Sequence, residues 1–138
     1  MATQPESLPD DAQHVHTSTI DIRWGDLDGA GHVNNSRFFT YFEETRVQWL
    51  DSTLEGPLFT ETGPVVANAT CDFKKPLRYP ATLVIDLYAT PPGNSSLQHV
   101  YDASLKDAGT RVATGTAILV WVSVDTGNPV PVPDLGLR

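Results

Sequence analysis

The segment SRFFTYFEETRVQWLDSTL, residues 36–54, constrains the fold more than any other part of the chain. Phe38, Tyr41, Phe42, Thr45 and Trp49 recur at helical spacing, with Phe39, Arg46 and Leu50 beside them, which predicts one long helix. Its first two turns are aromatic over most of their circumference, so the helix is expected to be embraced by other structure. The rest of the chain must supply that cover.

The flanking segments read as strands. TSTIDIRW alternates, with Ile20, Ile22 and Trp24 on one face and Asp21 and Arg23 on the other. PVVANATCDFKKPL alternates again, placing Ala67, Ala69, Cys71 and Phe73 opposite Asn68, Thr70, Asp72 and Lys74. TLVIDLYAT, LQHVYDASLK and RVATGTAILVWVSV add three strands, separated by PPGNSS and DAGT, both rich in turn formers. The last strand is apolar on both faces toward its end, as suits the middle of a sheet. One helix segregated from hairpin-like strands predicts an α+β domain, with the helix packed on an antiparallel sheet of about five strands. A lone helix covers only one sheet face. Val84, Tyr88, Val100 and Trp121 are expected to point outward and are also apolar, so a second copy is expected against some of that surface.

A chain of 138 residues favours a single domain. Its periodic segments span residues 17–124. Residues 1–16 carry Glu6, Asp10 and Asp11 but no Lys or Arg and read as a disordered tail, while the proline-punctuated residues 125–138 read as an extended one. The formal net charge of −8 argues against nucleic acid as a partner. A single cysteine, Cys71, excludes an internal disulfide and suits a reducing compartment, the cytoplasm by default. No apolar run is long enough for a membrane span, and the N-terminus lacks a signal-peptide pattern.

Between the first strand and the helix lies RWGDLDGAGHVNNSRFF, residues 23–39. Asp, Asn and Ser cap helices, and Gly29 and Gly31 permit a sharp turn, so a well-made helix start explains much of it. The same helix start can do chemistry. Free N–H groups and the helix dipole favour a developing oxyanion, and a carboxylate a few residues upstream can attack a carbonyl or activate water against it. Asp26, Asp28 and His32 are also metal-ligand types, but no second cluster completes a set: His14 and His16 fall in the tail, and His99 shares a strand face with Leu97 and Tyr101. No metal is expected, and His99 reads as a partly buried strand histidine with a hydrogen-bond partner. Glu43 and Glu44 read as solvated acids paired locally with Arg46 or Gln48, with an inward-facing acid as the alternative.

RWGDLDGAGHVNNSRFFTYFEETRVQWL closely resembles the hotdog-fold acyl-CoA thioesterases, in the 4-hydroxybenzoyl-CoA thioesterase-like branch that includes the Tol-Pal-associated enzymes. The shared pattern is an aspartate pair, a glycine, His-Val-Asn-Asn, an aromatic, then Phe-Glu-Glu-x-Arg. VVANATCDFKKPLRYPATLVIDL is similar to the strands that follow in that family. The resemblance implies a curved antiparallel sheet wrapped around one long central helix, and a homodimer or homotetramer with sites at subunit interfaces.

The resemblance also implies roles. Asp28 falls at the catalytic carboxylate, as nucleophile or general base, and Asn35 where a backbone N–H meets the thioester oxygen. His32 and Asn34 match the HVNN form shared with plant acyl carrier protein thioesterases, where nearby polar residues orient water or substrate. Ala30 stands where the plant enzymes have an asparagine. The 4-hydroxybenzoyl enzyme lacks a histidine at the position of His32, and PPGNSS replaces its basic, phosphate-gripping turn. Coenzyme A, required only as part of the substrate, must then find its cations elsewhere. Lys74, Lys75 and Arg78 are the candidates, their other reading being a charged edge that prevents aggregation. Phe38, Phe39 and Tyr41 would flank an apolar acyl tunnel. The implied function is hydrolysis of an acyl-CoA thioester to a carboxylic acid and free coenzyme A. The alternatives are a thioesterase acting on acyl carrier protein, a hotdog protein that binds thioesters without turnover, and a hotdog dehydratase, whose His and acid pattern is not evident here.

Overall fold

Asn34 begins the helix: its side-chain oxygen accepts the Ser36 N–H at 3.1 Å and the Ser36 hydroxyl at 3.0 Å, which satisfies one orphan donor of the first turn. In the computed structural model, which describes residues 8–137, that helix, α1, is Asn35–Thr53. Strand β1 (Gln13–Asp21) and a 3-10 turn (Trp24–Asp26) precede it, and β2 (Thr62–Phe73), β3 (Thr82–Ala89), β4 (Ser96–Leu105) and β5 (Arg111–Ser123) follow. All neighbours pair antiparallel, in the order β1-β3-β4-β5-β2. The α+β expectation therefore holds, with five strands and one helix in the hotdog arrangement.

Alternation in the central strands places Leu83, Ile85, Leu87 and Ala89 of β3 beside Leu97, His99, Tyr101 and Ala103 of β4 on one face. From α1, Phe38, Tyr41, Phe42, Thr45, Trp49 and Leu50 are buried against that face. Phe42 stacks on Tyr101 with ring centroids 4.5 Å apart, and Trp49 meets His99 edge-on at 5.4 Å. Each such aromatic contributes roughly 1.5–3 kcal/mol by burial. Gly115 of β5 is what lets Phe42 approach, since a Cβ there would come within 2.4 Å of the ring.

Several expectations need correction. β1 begins at Gln13, so His14 and His16 belong to the sheet and not to a tail: His14 Nε2 lies 3.0 Å from Asp86 Oδ1, and His16 Nε2 lies 3.0 Å from Gln48 Oε1. Residues 1–7 of the expected N-terminal tail lie outside the described residues. Ile22 is buried as expected, but Trp24 is 74% exposed because the chain leaves the sheet into the 3-10 turn before reaching it. Trp121 belongs to the helix-facing side, in phase with Gly115, Ala117 and Leu119, and is not an outward residue. Beyond β5 the chain makes a turn at 124–126, and residues 127–137 form no helix or strand but are fastened to the sheet. The Val130 N–H donates to the Trp121 carbonyl at 2.9 Å, and Leu135 joins the core.

The helix is covered on one side only. Phe39, Glu43 and Val47 remain exposed, and the outer positions Tyr88 and Val100 are already buried within this chain. Exposed apolar surface gathers instead at the β2 edge, where Val65 and Val66 are 43% and 44% exposed near the exposed Phe59. The strand alternation could not reveal this, because the position of a strand within a sheet is a tertiary property.

Candidate active site

The chain from Asp26 to Asn34 is a short loop closed at its base. The Asn34 N–H donates to the Asp26 carbonyl at 2.9 Å, Leu27 and Val33 form an isolated antiparallel bridge, and the Asp28 N–H donates to the His32 carbonyl at 2.7 Å. Gly31, at φ +80°, makes the reversal that a side chain would strain.

The two aspartates have opposite fates. Asp26 is 2% exposed and accepts the Tyr41 hydroxyl at 2.8 Å, the Arg23 N–H at 3.1 Å and the Arg23 guanidinium at 3.3 Å. Burial alone would raise its pKa, but those donors outweigh it and hold the carboxyl below its ordinary value. Asp26 is thereby committed to Tyr41 and Arg23. Asp28 is exposed at the loop tip. Its Oδ1 accepts the N–H groups of Ala30 at 2.8 Å and His32 at 3.3 Å, while its Oδ2 has no partner among the described residues. One oxygen holds the orientation and the other carries no hydrogen bond among the described residues.

That carboxylate opens onto a cavity of about 350 Å³ lined by Asp28, His32, Asn35, Phe38, Lys74 and Lys75, together with Val33, Phe73, Pro76 and Leu77. The loop reaches the lysine segment through the Val33 N–H, which donates to the Leu77 carbonyl at 2.8 Å. Lys74 and Lys75 are in turn anchored to β5, both backbone N–H groups donating to the Val112 carbonyl, at 2.8 and 3.1 Å. Asn35 occupies the first helical position, where a backbone N–H has no intrahelical acceptor. His32 Nε2 is buried and has no hydrogen-bond partner among the described residues.

Six of the residues singled out in the sequence are thus brought together. Four are not. Asn34 is committed to capping α1, Phe39 is exposed outside the cavity lining, Tyr41 is buried with its hydroxyl on Asp26 and does not line the cavity, and Arg78 lines a neighbouring groove. Phe73 was legible only as a strand residue, yet its ring meets Phe38 edge-on at 5.6 Å in the cavity wall. Its position directly before Lys74 and Lys75 was the available signal. Cys71 is no competing nucleophile, because burial and the nearby Asp72 push its thiol up to about 12. Glu43 and Glu44 are exposed, with Arg46 3.6 Å from Glu43 and the Gln48 amide donating to Glu44 at 3.1 Å.

A family model described as the thioesterase-like superfamily matches residues 22–135, which include the loop, the cavity and the whole sheet except β1. The chain belongs to the thioesterase-like superfamily. Among solved structures of similar chains, the candidate thioesterase PA2801 of Pseudomonas aeruginosa is 40% identical, with a TM-score of 0.81 over 88% of this chain and 95% of its own. A candidate acyl-CoA thioesterase of Xanthomonas campestris is 29% identical, with a TM-score of 0.77 over 87% of this chain and 100% of its own. The uncharacterized protein YsmA of Bacillus subtilis (strain 168) is 30% identical over 112 residues, 80% of this chain and 75% of YsmA. This member of the thioesterase-like superfamily places its exposed loop aspartate, its helix N-terminus and two lysines around one cavity. No helix among its described residues is long and apolar enough to cross a membrane.

Proposed function

We propose that the chain is an acyl-CoA thioesterase. The observation that carries this reading is the Asp28 carboxylate, fixed through Oδ1 and unpartnered at Oδ2, in the same cavity as Asn35 at the start of α1. A thioester seated with its carbonyl oxygen toward the Asn35 N–H meets a donor and the positive end of the helix dipole, both of which favour the oxyanion that forms there. Asp28 then acts in one of two ways. As general base it takes a proton from water, whose oxygen adds to the carbonyl carbon. As nucleophile it adds directly and forms a mixed anhydride that water cleaves. In both, the carbon–sulfur bond breaks and the coenzyme A thiolate leaves and takes up a proton. His32 lines the same wall, with a buried Nε2 that has no hydrogen-bond partner among the described residues. Phe38 and Phe73 offer apolar walls for the acyl end, and Lys74 and Lys75 offer charge for the phosphates.

A homodimer accompanies this reading. The β2 edge carries exposed Val65 and Val66 beside a groove of about 260 Å³ that also takes in Glu43 and Val47 of α1 and Phe59. Pairing of two β2 edges would cover that apolar surface and satisfy both rows of backbone groups. Action in the cytoplasm fits the reduced Cys71.

The test is release of free thiol from a panel of short, long and aromatic acyl-CoAs. Turnover of at least one class supports the reading. No turnover of any class, with the fold intact, overturns it and favours a carrier-protein substrate or a binding role.

A further inference from the structure

The cations of this acidic chain are sorted by whether they have a partner. Arg23 and Arg37 face Asp26, Arg46 faces Glu43, and Arg111 makes two hydrogen bonds to Asp102 at 2.7 and 2.9 Å. Lys74, Lys75, Arg78 and Lys106 form no ion pair among the described residues. They come from two separate connections, residues 74–81 between β2 and β3 and the turn after β4, and the fold brings these together. Lys74 and Lys75 line the Asp28 cavity. Arg78 and Lys106 line a second groove of about 360 Å³ that shares Pro76 and Leu77 with the first.

This second groove combines two cations with an apolar lining. Pro80, Ala81 and Leu105 supply apolar lining in the same groove as Arg78 and Lys106. The Lys106 N–H donates to the Thr82 carbonyl at 2.9 Å, which holds the turn against β3. Asp107 lies in the same lining and would repel a phosphate placed beside it, but its carboxylate can accept from a sugar hydroxyl or an adenine amino group. Unpaired cations in a chain of formal net charge −8 are an electrostatic exception, and placing two in each of two adjoining cavities favours an anion there.

We infer that the Arg78–Lys106 groove is the subsite for the adenosine 3′,5′-bisphosphate end of coenzyme A, with Lys74 and Lys75 contacting the remaining phosphate, on the pantetheine side. The inference rests on the proposed thioesterase reading and deepens it, by selecting coenzyme A over a carrier protein, which presents a phosphopantetheine arm but no nucleotide. It also assigns Lys106, a residue without any motif, to recognition.

The test is calorimetric titration of the full chain with adenosine 3′,5′-bisphosphate, independent of turnover. Arg78→Gln and Lys106→Gln are each expected to weaken binding about ten-fold, the loss of one charge-assisted contact. Gln98→Glu, which makes the same change of net charge on an exposed outer-face residue, should leave binding as it was. Both cation positions are exposed, so folding of the variants is not at stake. Bisphosphate binding that depends on Arg78 and Lys106 in a chain that hydrolyses no thioester would support the subsite and overturn only the proposed activity. Acyl-CoA hydrolysis without bisphosphate binding, or binding equal in native chain and both variants, would overturn the subsite and leave the activity standing.

Discussion

The Tyr41 hydroxyl donates to Asp26 Oδ2 at 2.8 Å, joining the second turn of the helix to the base of the loop that carries Asp28. Both partners are buried, so the bond is shielded from water and neither group has a substitute partner in solvent. Tyr41→Phe should cost about 1–3 kcal/mol of stability, because Asp26 stays buried with one donor fewer. The donors around Asp26 hold its carboxyl below the ordinary 3.8, so its ionised form stabilises the fold above that pH and the contribution is lost as pH falls through the lowered value. Removing a donor raises that value, and acid unfolding of Tyr41→Phe should begin at higher pH than in the native chain. Urea titrations at neutral and acid pH measure both effects.

His99 gives a second acid-sensitive group. Burial first, and the Arg46 cation second, push its imidazole down to about 3 from the ordinary 6.5. The unfolded chain therefore takes up a proton that the folded chain refuses, and stability falls as pH drops from 6.5 toward 3. The slope from this one group is about 1.4 kcal/mol per pH unit. His99→Gln should remove it, so the stability gap between native and variant should narrow or reverse between neutral and acid pH.

At Gly115 the helix and the sheet approach too closely for a side chain. A Cβ would lie 2.4 Å from the Phe42 ring and 2.9 Å from the Thr70 carbonyl oxygen. Gly115→Ala is expected to destabilise the fold by about 1–3 kcal/mol through overpacking. A thermal melt lowered by several degrees would agree, and an unchanged melt would mean that the ring moves aside without cost.

The β2 edge predicts assembly. Val65→Lys introduces charge at the exposed strand edge without touching the core. Sedimentation should find the native chain dimeric and the variant shifted toward monomer. An unchanged dimer would place the interface elsewhere.

Much of this was legible in the chain itself. Helical spacing from Phe38 to Trp49 located α1 within a residue of its observed bounds, because helical periodicity records one-sided burial, and the turn formers PPGNSS and DAGT delimited β3, β4 and β5. The resemblance to the hotdog thioesterases, and not any spacing, nominated Asp28, His32, Asn35, Phe38, Lys74 and Lys75, which line one cavity. What stayed hidden depends on packing between distant segments. Trp24 and Trp121 look alike in an alternating pattern, but a chain exit exposes one and strand phase buries the other. Tyr41 has the size of a tunnel wall, yet a buried carboxylate fifteen residues earlier claims its hydroxyl. Lys106 belongs to no motif, and only the pairing of β3 with β4 brings its turn beside Arg78.

The most direct test of the central claim is steady-state hydrolysis of a turned-over acyl-CoA by the native chain and by Asp28→Asn, a near-isosteric change at an exposed loop position. The account predicts loss of at least about 100-fold in kcat, as befits removal of the base or nucleophile, with the melting temperature nearly unchanged. A variant that keeps kcat within a few-fold of native would contradict the assignment of Asp28.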